Sequence, residues 1–351
     1  MRFESLDFYR NNAASQYGAF FNEGHDIYVY NCIARSSQYF GFNSEGATGL
    51  NIYNITYDSC EAYDNDQTGM VITSRDEGGV CNGPHDCEIK NCIAHDNGVN
   101  EWADHGIYVK HGVSVHDNTC YNNDVGAGIK LNAETIHSTW SPVCYNNYCY
   151  NNKMGIDALH QSSVIYNNLL YNNDYNVQFD GDSHDVIFVY NTLCNVTNIT
   201  GLTPIRLGGN FADMVFKNNL IVQDWALSPR YLVRAVDNIS PIPDATIAHF
   251  AENNDIDYNV YYSDGNTATG TFYNENGSGL LSWVQWKALT GSPDANSTFL
   301  TGLPGFVSRY TDLHPADGGN LKDLGIDLAG RQIVEDFVNF LSTVGQAIFD
   351  I

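Results

Sequence analysis

One short pattern recurs along this chain and limits what it can fold into: a glycine, then apolar, variable, apolar, variable. Its clearest copies are Gly69-Met70-Val71-Ile72, Gly106-Ile107-Tyr108-Val109, Gly128-Ile129-Lys130-Leu131 and Gly155-Ile156-Asp157-Ala158. Gly18-Ala19-Phe20-Phe21 and Gly41-Phe42-Asn43-Ser44 come before them, and Asn176-Val177-Gln178-Phe179 and Pro204-Ile205-Arg206-Leu207 come after. A period of two over so short a span is the mark of a half-buried β-strand. A strand that returns at a nearly fixed interval must stack on its own copies.

A second motif precedes each glycine strand. It reads Tyr30-Asn31-Cys32-Ile33-Ala34, Asp58-Ser59-Cys60-Glu61-Ala62 and Lys90-Asn91-Cys92-Ile93-Ala94, and it persists as far as Tyr258-Asn259-Val260-Tyr261. Measured from its end (Asn12, Ser37, Asn65, Asn97, Asn123, Asn152, Asn173, Thr197, Asp224), the steps are 25, 28, 32, 26, 29, 21, 24 and 27 residues. Three short strands and three corners need about that many residues per turn. One column of the motif runs Cys32, Cys60, Cys92, Asn118, Asn147, Asn168, Thr192, Asn219, Asn259. An inward amide at a corner bonds the corner backbone and the amides above and below it. This predicts an all-β chain: a parallel β-helix of about eight to ten turns, right-handed as parallel crossovers are. A second column, Ala34, Ala62, Ala94, Cys120, Cys149, Leu170, Cys194, Ile221, is small enough for a narrow interior. The two columns, with Cys144 as a strand residue, account for seven of the nine Cys as buried thiols; Cys81 and Cys87 share one insertion and are spaced for a disulfide.

The repeat weakens near Asp224. We therefore divide the chain into repeats over 1–224 and, over 225–351, final irregular turns with a loop-rich cap. Trp283 to Leu289 in that cap has the spacing of a short helix and is followed by Gly291. The 16 basic and 41 acidic residues give a net charge of −25. That excludes nucleic acid and anionic membranes as partners, and tight binding of a polyanionic sugar then needs a bridging cation. No apolar run approaches a membrane span. Abundant Tyr and Asn with scarce Lys suggest an extracellular or cell-surface protein. No secretory leader opens the sequence, so Met1 is expected to begin inside a longer chain.

The Tyr-Asn-Asn and Gly-Ile-x-Leu rungs resemble those of the secreted bacterial right-handed parallel β-helix proteins of the pectate-lyase superfamily. The tail is similar too, in Trp283 to Ser297, Asp312-Leu313-His314 and Gly325-Ile326-Asp327-Leu328-Ala329-Gly330-Arg331. Family tails end near Asp-Ile-Gly-Ala, so a chain that stops at Asp350-Ile351 is expected to be cut short.

Alternation places the second and fourth residues after each glycine outside. The outer rows are then Phe20, Asn43, Val71, Tyr108, Lys130, Asp157, Gln178, Arg206 and Asn22, Glu45, Thr73, Lys110, Asn132, Leu159, Asp180, Gly208. Three of the chain's 16 basic residues fall on these 16 positions, where a random scatter would place fewer than one. This basic cluster in an acidic chain suggests a carbohydrate groove. Tyr108 offers a stacking face, Lys110 a charge, and Asn132 and Gln178 hydrogen bonds. Lys130 resembles the base of the calcium-dependent lyases that use one lysine, which abstract the C5 proton of a uronic acid. The resemblance implies Lys130 as base and calcium (Ca2+) as cofactor; Arg206 of the basic cluster is a second catalytic candidate, and Asp157, Asp180 and Asp182 could supply a cation site on the other side of Lys130. The family's Asp-Asp-Gly-x-Asp calcium motif is reduced here to Asp104-His105-Gly106-Ile107-Tyr108. The leading expectation is a polysaccharide lyase acting on an acidic polysaccharide. A solvated sheet face is the plain alternative, as is a fibre or sugar-binding module that associates end to end. A glycoside hydrolase is a third reading, since Asp157 and Asp180 would stand roughly 7 to 9 Å apart.

Overall fold

The structure is a computed structural model. It describes residues 1–9, 17–46, 52–74, 83–99, 104–133, 140–160, 162–195, 203–223, 231–236, 247–263, 271–274, 279–300, 306–308 and 312–315. Three sheets of 10, 11 and 11 strands run its length, parallel throughout except that Gly279–Leu281 pairs antiparallel with Phe272–Asn274 at the end of the third. Each turn gives one strand to each sheet, as Ile27–Tyr30, Ile33–Arg35 and Phe42–Gly46 do early in the chain. This is the right-handed parallel β-helix, of about the expected number of turns.

The corners explain why this sequence coils. Between the first and second sheets one residue of each turn takes a left-handed backbone, among them Asn31, Ser59, Asn91, Asp117, Asn146, Asn167 and Asn218, with φ between 50° and 58°. Asn tolerates this region and Ser and Asp come next, because their short polar chains bond locally. The residue after it points inward. There Asn118, Asn147, Asn168, Asn191, Asn219 and Asn259 form a continuous ladder, each Nδ2 donating to the next Oδ1 at 3.0 to 3.2 Å. Cys32, Cys60 and Cys92 occupy the same column, and Cys92 N donates to Asn118 Oδ1 at 2.9 Å. A second ladder at the next corner runs through Asn65, Asn97, Asn123, Asn152 and Asn173. In the sequence these five residues mark only the length of the repeat.

The register differs from expectation in two rungs. Asn191, not Thr192, fills the ladder, because the left-handed corner residue of that turn is Tyr190 at φ 60°. The turn thus starts one residue early. Leu193 takes the interior position, paired with Leu170 and Ile221, and Cys194 lies on the outward row beside Tyr171 and Val222. In the first turn Phe20 pairs with Phe42 and is buried. Phe21, not Phe20, stands on the outer row opposite Asn43, because Gly18 lies one residue further from its strand than the later glycines do. Cys87 is a free buried thiol on a strand of the first sheet; Cys81 lies outside the described residues.

The ladder does not stop at 224. The strands Val233–Ala235, Asp255–Asp257, Val260–Ser263 and Phe272–Asn274 extend all three sheets, with the helix Ile247–Glu252 interposed. What closes the end is the short helix Trp283–Lys287, capped by Ser282. Its Trp286 is buried against Phe272, with ring centroids 4.6 Å apart. Asp294, fully buried, ends the first Asn ladder: its carboxylate accepts from Asn259 Nδ2, Tyr261 Oη, Trp286 Nε1 and Ser297 Oγ. The tail motif from Gly325 to Arg331 lies outside the described residues.

Candidate functional site

The third sheet is built from the glycine strands, and its ladder is in register from Asn43 to Tyr273. Its first outer row reads Asn43, Val71, Tyr108, Lys130, Asp157, Gln178, Arg206, Arg234, Tyr273. The second row pairs Lys110 with Asn132, Asn132 with Leu159, and Leu159 with Asp180. Both outer rows thus hold as expected from Asn43 onward. Asp182 lies on the same strand as Asp180, opposite Asn210.

Lys130 and Asp157 face each other on adjacent strands, with Nζ 2.8 Å from Oδ2. The Asp157 side chain is 3% exposed and the Lys130 side chain 17%. Burial pulls the Lys130 amine down. The Asp157 charge and hydrogen bond, with Tyr108 and Asp180 behind them, more than offset it, so the pKa is raised. A base needs a neutral amine, whereas the pairing with Asp157 favours the ammonium form. Arg206 stands three rungs away, with backbones roughly 14 Å apart, and its side chain reaches back toward Gln178.

The neighbours complete the site. Asn132 Nδ2 donates to Tyr108 Oη at 3.0 Å. Gln178 Nε2 lies 3.4 Å from Asp157 Oδ1 and 3.4 Å from Asp180 Oδ2, so it bridges the two carboxyl groups. Burial pushes Asp180 up to about 6; Gly181 N–H opposes the shift and Asp157 adds to it. Arg206 Nη1 donates to Gln178 Oε1, and its guanidinium lies over the Tyr175 ring, 5.0 Å from the centroid. On the other side of Tyr108 a cleft of about 270 Å³ continues past Val71, Thr73 and Lys110 to Asn43.

Asp104 and His105 are both buried below the face. His105 Nδ1 accepts from Ala127 N–H at 3.0 Å, and burial, with the Lys130 charge, holds the imidazole well below its ordinary pKa. The pair packs the rung. Among the described residues no three acidic, His or Cys side chains converge on one point. Calcium takes about six to eight oxygens, and Asp157 and Asp180 already accept from Lys130, Gln178 and Gly181 N–H. Both carboxylates are thus held by protein donors, and of Asp182 only the strand position is described. Sequence reasoning missed Arg234 and Tyr175. Arg234 lacks the marker glycine two residues ahead of it, where Leu232 stands. Tyr175 stands one residue ahead of Asn176, outside a pattern that is counted from the glycine position onward.

The chain is thus a right-handed parallel β-helix protein with a charged cleft along the outer face of its third sheet. No protein-family model matches it, and no curated protein matches it in sequence. In three dimensions it is similar to the A-module of mannuronan C-5 epimerase AlgE4 from Azotobacter vinelandii. That likeness has 16% identity and TM-score 0.43, and covers 62% of this chain and 58% of that one. The AlgE6 A-module from Azotobacter vinelandii gives 11% identity and TM-score 0.42, over 86% of this chain and 91% of that one. XylC, solved with xylose, gives 14%, 0.37, 66% and 40% in the same order. The chain therefore spans less than two thirds of the AlgE4 module and of XylC.

Proposed function

We propose that the outer face of the third sheet binds an acidic polysaccharide and removes the C5 proton of a uronate unit held at Lys130, with β-elimination as the outcome. The observation that carries this reading is the Lys130–Asp157 pair. A nearly inaccessible carboxylate keeps an ammonium charged on the outer sheet face, in a chain of net charge −25. Loss of the C5 proton spreads negative charge onto the uronate carboxylate. A fixed ammonium there stabilises the transition state more than the ground state.

The proton acceptor must then be a neighbour of Lys130. Tyr108 stands directly opposite on the adjacent rung, half-buried, with Asn132 donating to its oxygen. A hydrogen-bond donor and a cation beside the oxygen are what a phenolate needs. The phenolate takes the C5 proton, the C4–O4 bond breaks as the C4=C5 double bond forms, and the phenol returns its proton to O4. The chain's own residues thus supply the charge that calcium supplies in the lyases it resembles.

The test is ultraviolet absorbance of unsaturated products from a panel of polyuronates, with calcium and with chelator. Activity is expected to survive the chelator. Lys130→Ala is expected to cost about 10² to 10³ in rate, and Lys130→Arg to keep most of it, because a guanidinium neutralises a carboxylate as an ammonium does. Tyr108→Phe should cost about 10² to 10⁴ with little change in KM. Equal loss in Lys130→Arg and Lys130→Ala would return Lys130 to the role of base. Return of the proton to C5 in place of elimination is read from deuterium uptake in D2O.

Asp180 favours a second reading. A carboxyl pushed up to about 6 beside a carboxylate in an ion pair is the acid-and-base arrangement of a glycoside hydrolase. New reducing ends without unsaturation, lost in Asp180→Asn and kept in Tyr108→Phe, would establish it. A panel with no product from any polymer would leave a binding or structural module.

A further inference from the structure

Past Asp157 the outer row continues Gln178, Arg206, Arg234, Tyr273. Two guanidinium groups are therefore paired on adjacent strands, with backbones roughly 4.8 Å apart. Like charges directly opposite each other destabilise a sheet. This chain has 41 acidic residues with which to separate or neutralise them. Lys130 forms an ion pair with Asp157, yet among the described residues no Asp or Glu forms an ion pair with Arg206. The Arg206 guanidinium has Gln178 on one side and the Tyr175 ring below, and its buried Nε has no acceptor. The arrangement orients a planar cation: burial and Arg234 oppose its charge, while Asp180 and Asp157 favour it from nearby strands without an ion pair. Guanidinium groups bind carboxylates in bidentate fashion.

Resting on the reading of Lys130 above, we infer that Arg206 and Arg234 form a second anion subsite. It takes the carboxylate of a sugar unit further along the same polymer, which lies parallel to the solenoid axis. A pyranose unit of an extended chain is about as long as one rung spacing, roughly 4.8 Å. Lys130 and Arg206 are three rungs apart, so the two charges engage units about three apart. The shortest oligomer that reaches both subsites is a tetramer.

The test measures binding of uronate oligomers from dimer to hexamer by calorimetry, to the wild type, Arg206→Gln, Arg234→Gln and the double variant. Thermal melts check that each variant folds. A length-matched neutral xylo-oligomer and a sulfated oligomer run beside them. Expected is a rise in affinity of about tenfold between trimer and tetramer in the wild type. That step should be absent in the double variant and for the neutral oligomer, and trimer binding should be unchanged by either Arg substitution. A step that persists in the double variant overturns the inference, as does a wild type with no step. A step seen only with the sulfated oligomer overturns the assignment to uronate. Trimer binding that depends on Lys130 but shows no Arg dependence sinks this subsite alone. No binding of any oligomer sinks it together with the Lys130 reading.

Discussion

The residue that matters most to this fold is the inward Asn of each corner. Asn147 shows why. Its Nδ2 donates to Asn168 Oδ1 and to Val115 O, and its Oδ1 accepts from Asn118 Nδ2 and Asn118 N. All of these are buried, so no water replaces a lost partner. Asn147→Ala is expected to destabilise the chain by about 3 kcal/mol, since several buried groups lose partners at once. Urea unfolding of the two proteins checks this, and a change under about 1 kcal/mol would mean that the ladder relaxes around the gap. This column is legible because Asn recurs in it, and a row of buried amides is stable only where each one bonds the next. It is misread at Thr192 because Tyr190, an aromatic residue in the left-handed region, does not look like a corner. The same slip puts Cys194 inside where Leu193 belongs. Phe20 is misplaced for a related reason: Gly18 aligns with the other glycines only if each holds the same place in its turn, and it does not.

At the level of the strand, the glycine column is set by close approach and not by unusual dihedrals. A Cβ on Gly106 would stand 2.6 Å from Gly128 O and 2.9 Å from Asn123 Nδ2. Gly106→Ala must therefore push the second Asn ladder off its register. A loss of about 2 kcal/mol is expected, read as a lower midpoint in denaturant, and an unchanged midpoint would show that the corner has slack. The same rigidity makes the site's outer rows readable. A register held by two ladders cannot slip, so counting from the glycine places Tyr108, Lys130, Asp157, Gln178 and Arg206 correctly. What the side chains do to one another is not readable in this way. Whether a lysine is a free amine or a locked ammonium depends on which rotamer meets which neighbour, and spacing along the sequence does not contain that. Arg234 is hidden because Leu232 stands where the earlier rungs carry the glycine from which the count starts.

Across the whole molecule the titrating groups pull stability toward mild acid. Burial raises the carboxyl pKa values of Asp174, Asp180 and Asp294 above the ordinary 3.8, Asp180 to about 6. A raised carboxyl favours folding in its protonated form. That stability is complete below pH 3.8 and is lost as pH rises through the folded value, for Asp180 about 6. For His116 burial acts downward, but Glu88 and Asp117 outweigh it and raise the pKa above the ordinary 6.5. The stability of its pairing is present below 6.5 and lost as pH climbs through the raised value. Asp58 and Glu88 act in the opposite sense. Burial opposes the Asn91 and Tyr28 hydrogen bonds that lower Asp58, and His116 lowers Glu88, so their contributions disappear as pH falls below about 4. The net charge of −25 adds repulsion that grows as the remaining acids ionise. The expected stability maximum therefore lies near pH 5 to 6, with a falling melting temperature from pH 6 to 8. Salt should recover part of that loss at pH 8 by screening the net charge, and much less at pH 5. Melting curves from pH 4 to 9, each at low and high salt, decide the matter. A maximum at pH 8, or a salt effect of equal size at both ends, would show that the buried acids and His116 do not govern the stability of this solenoid.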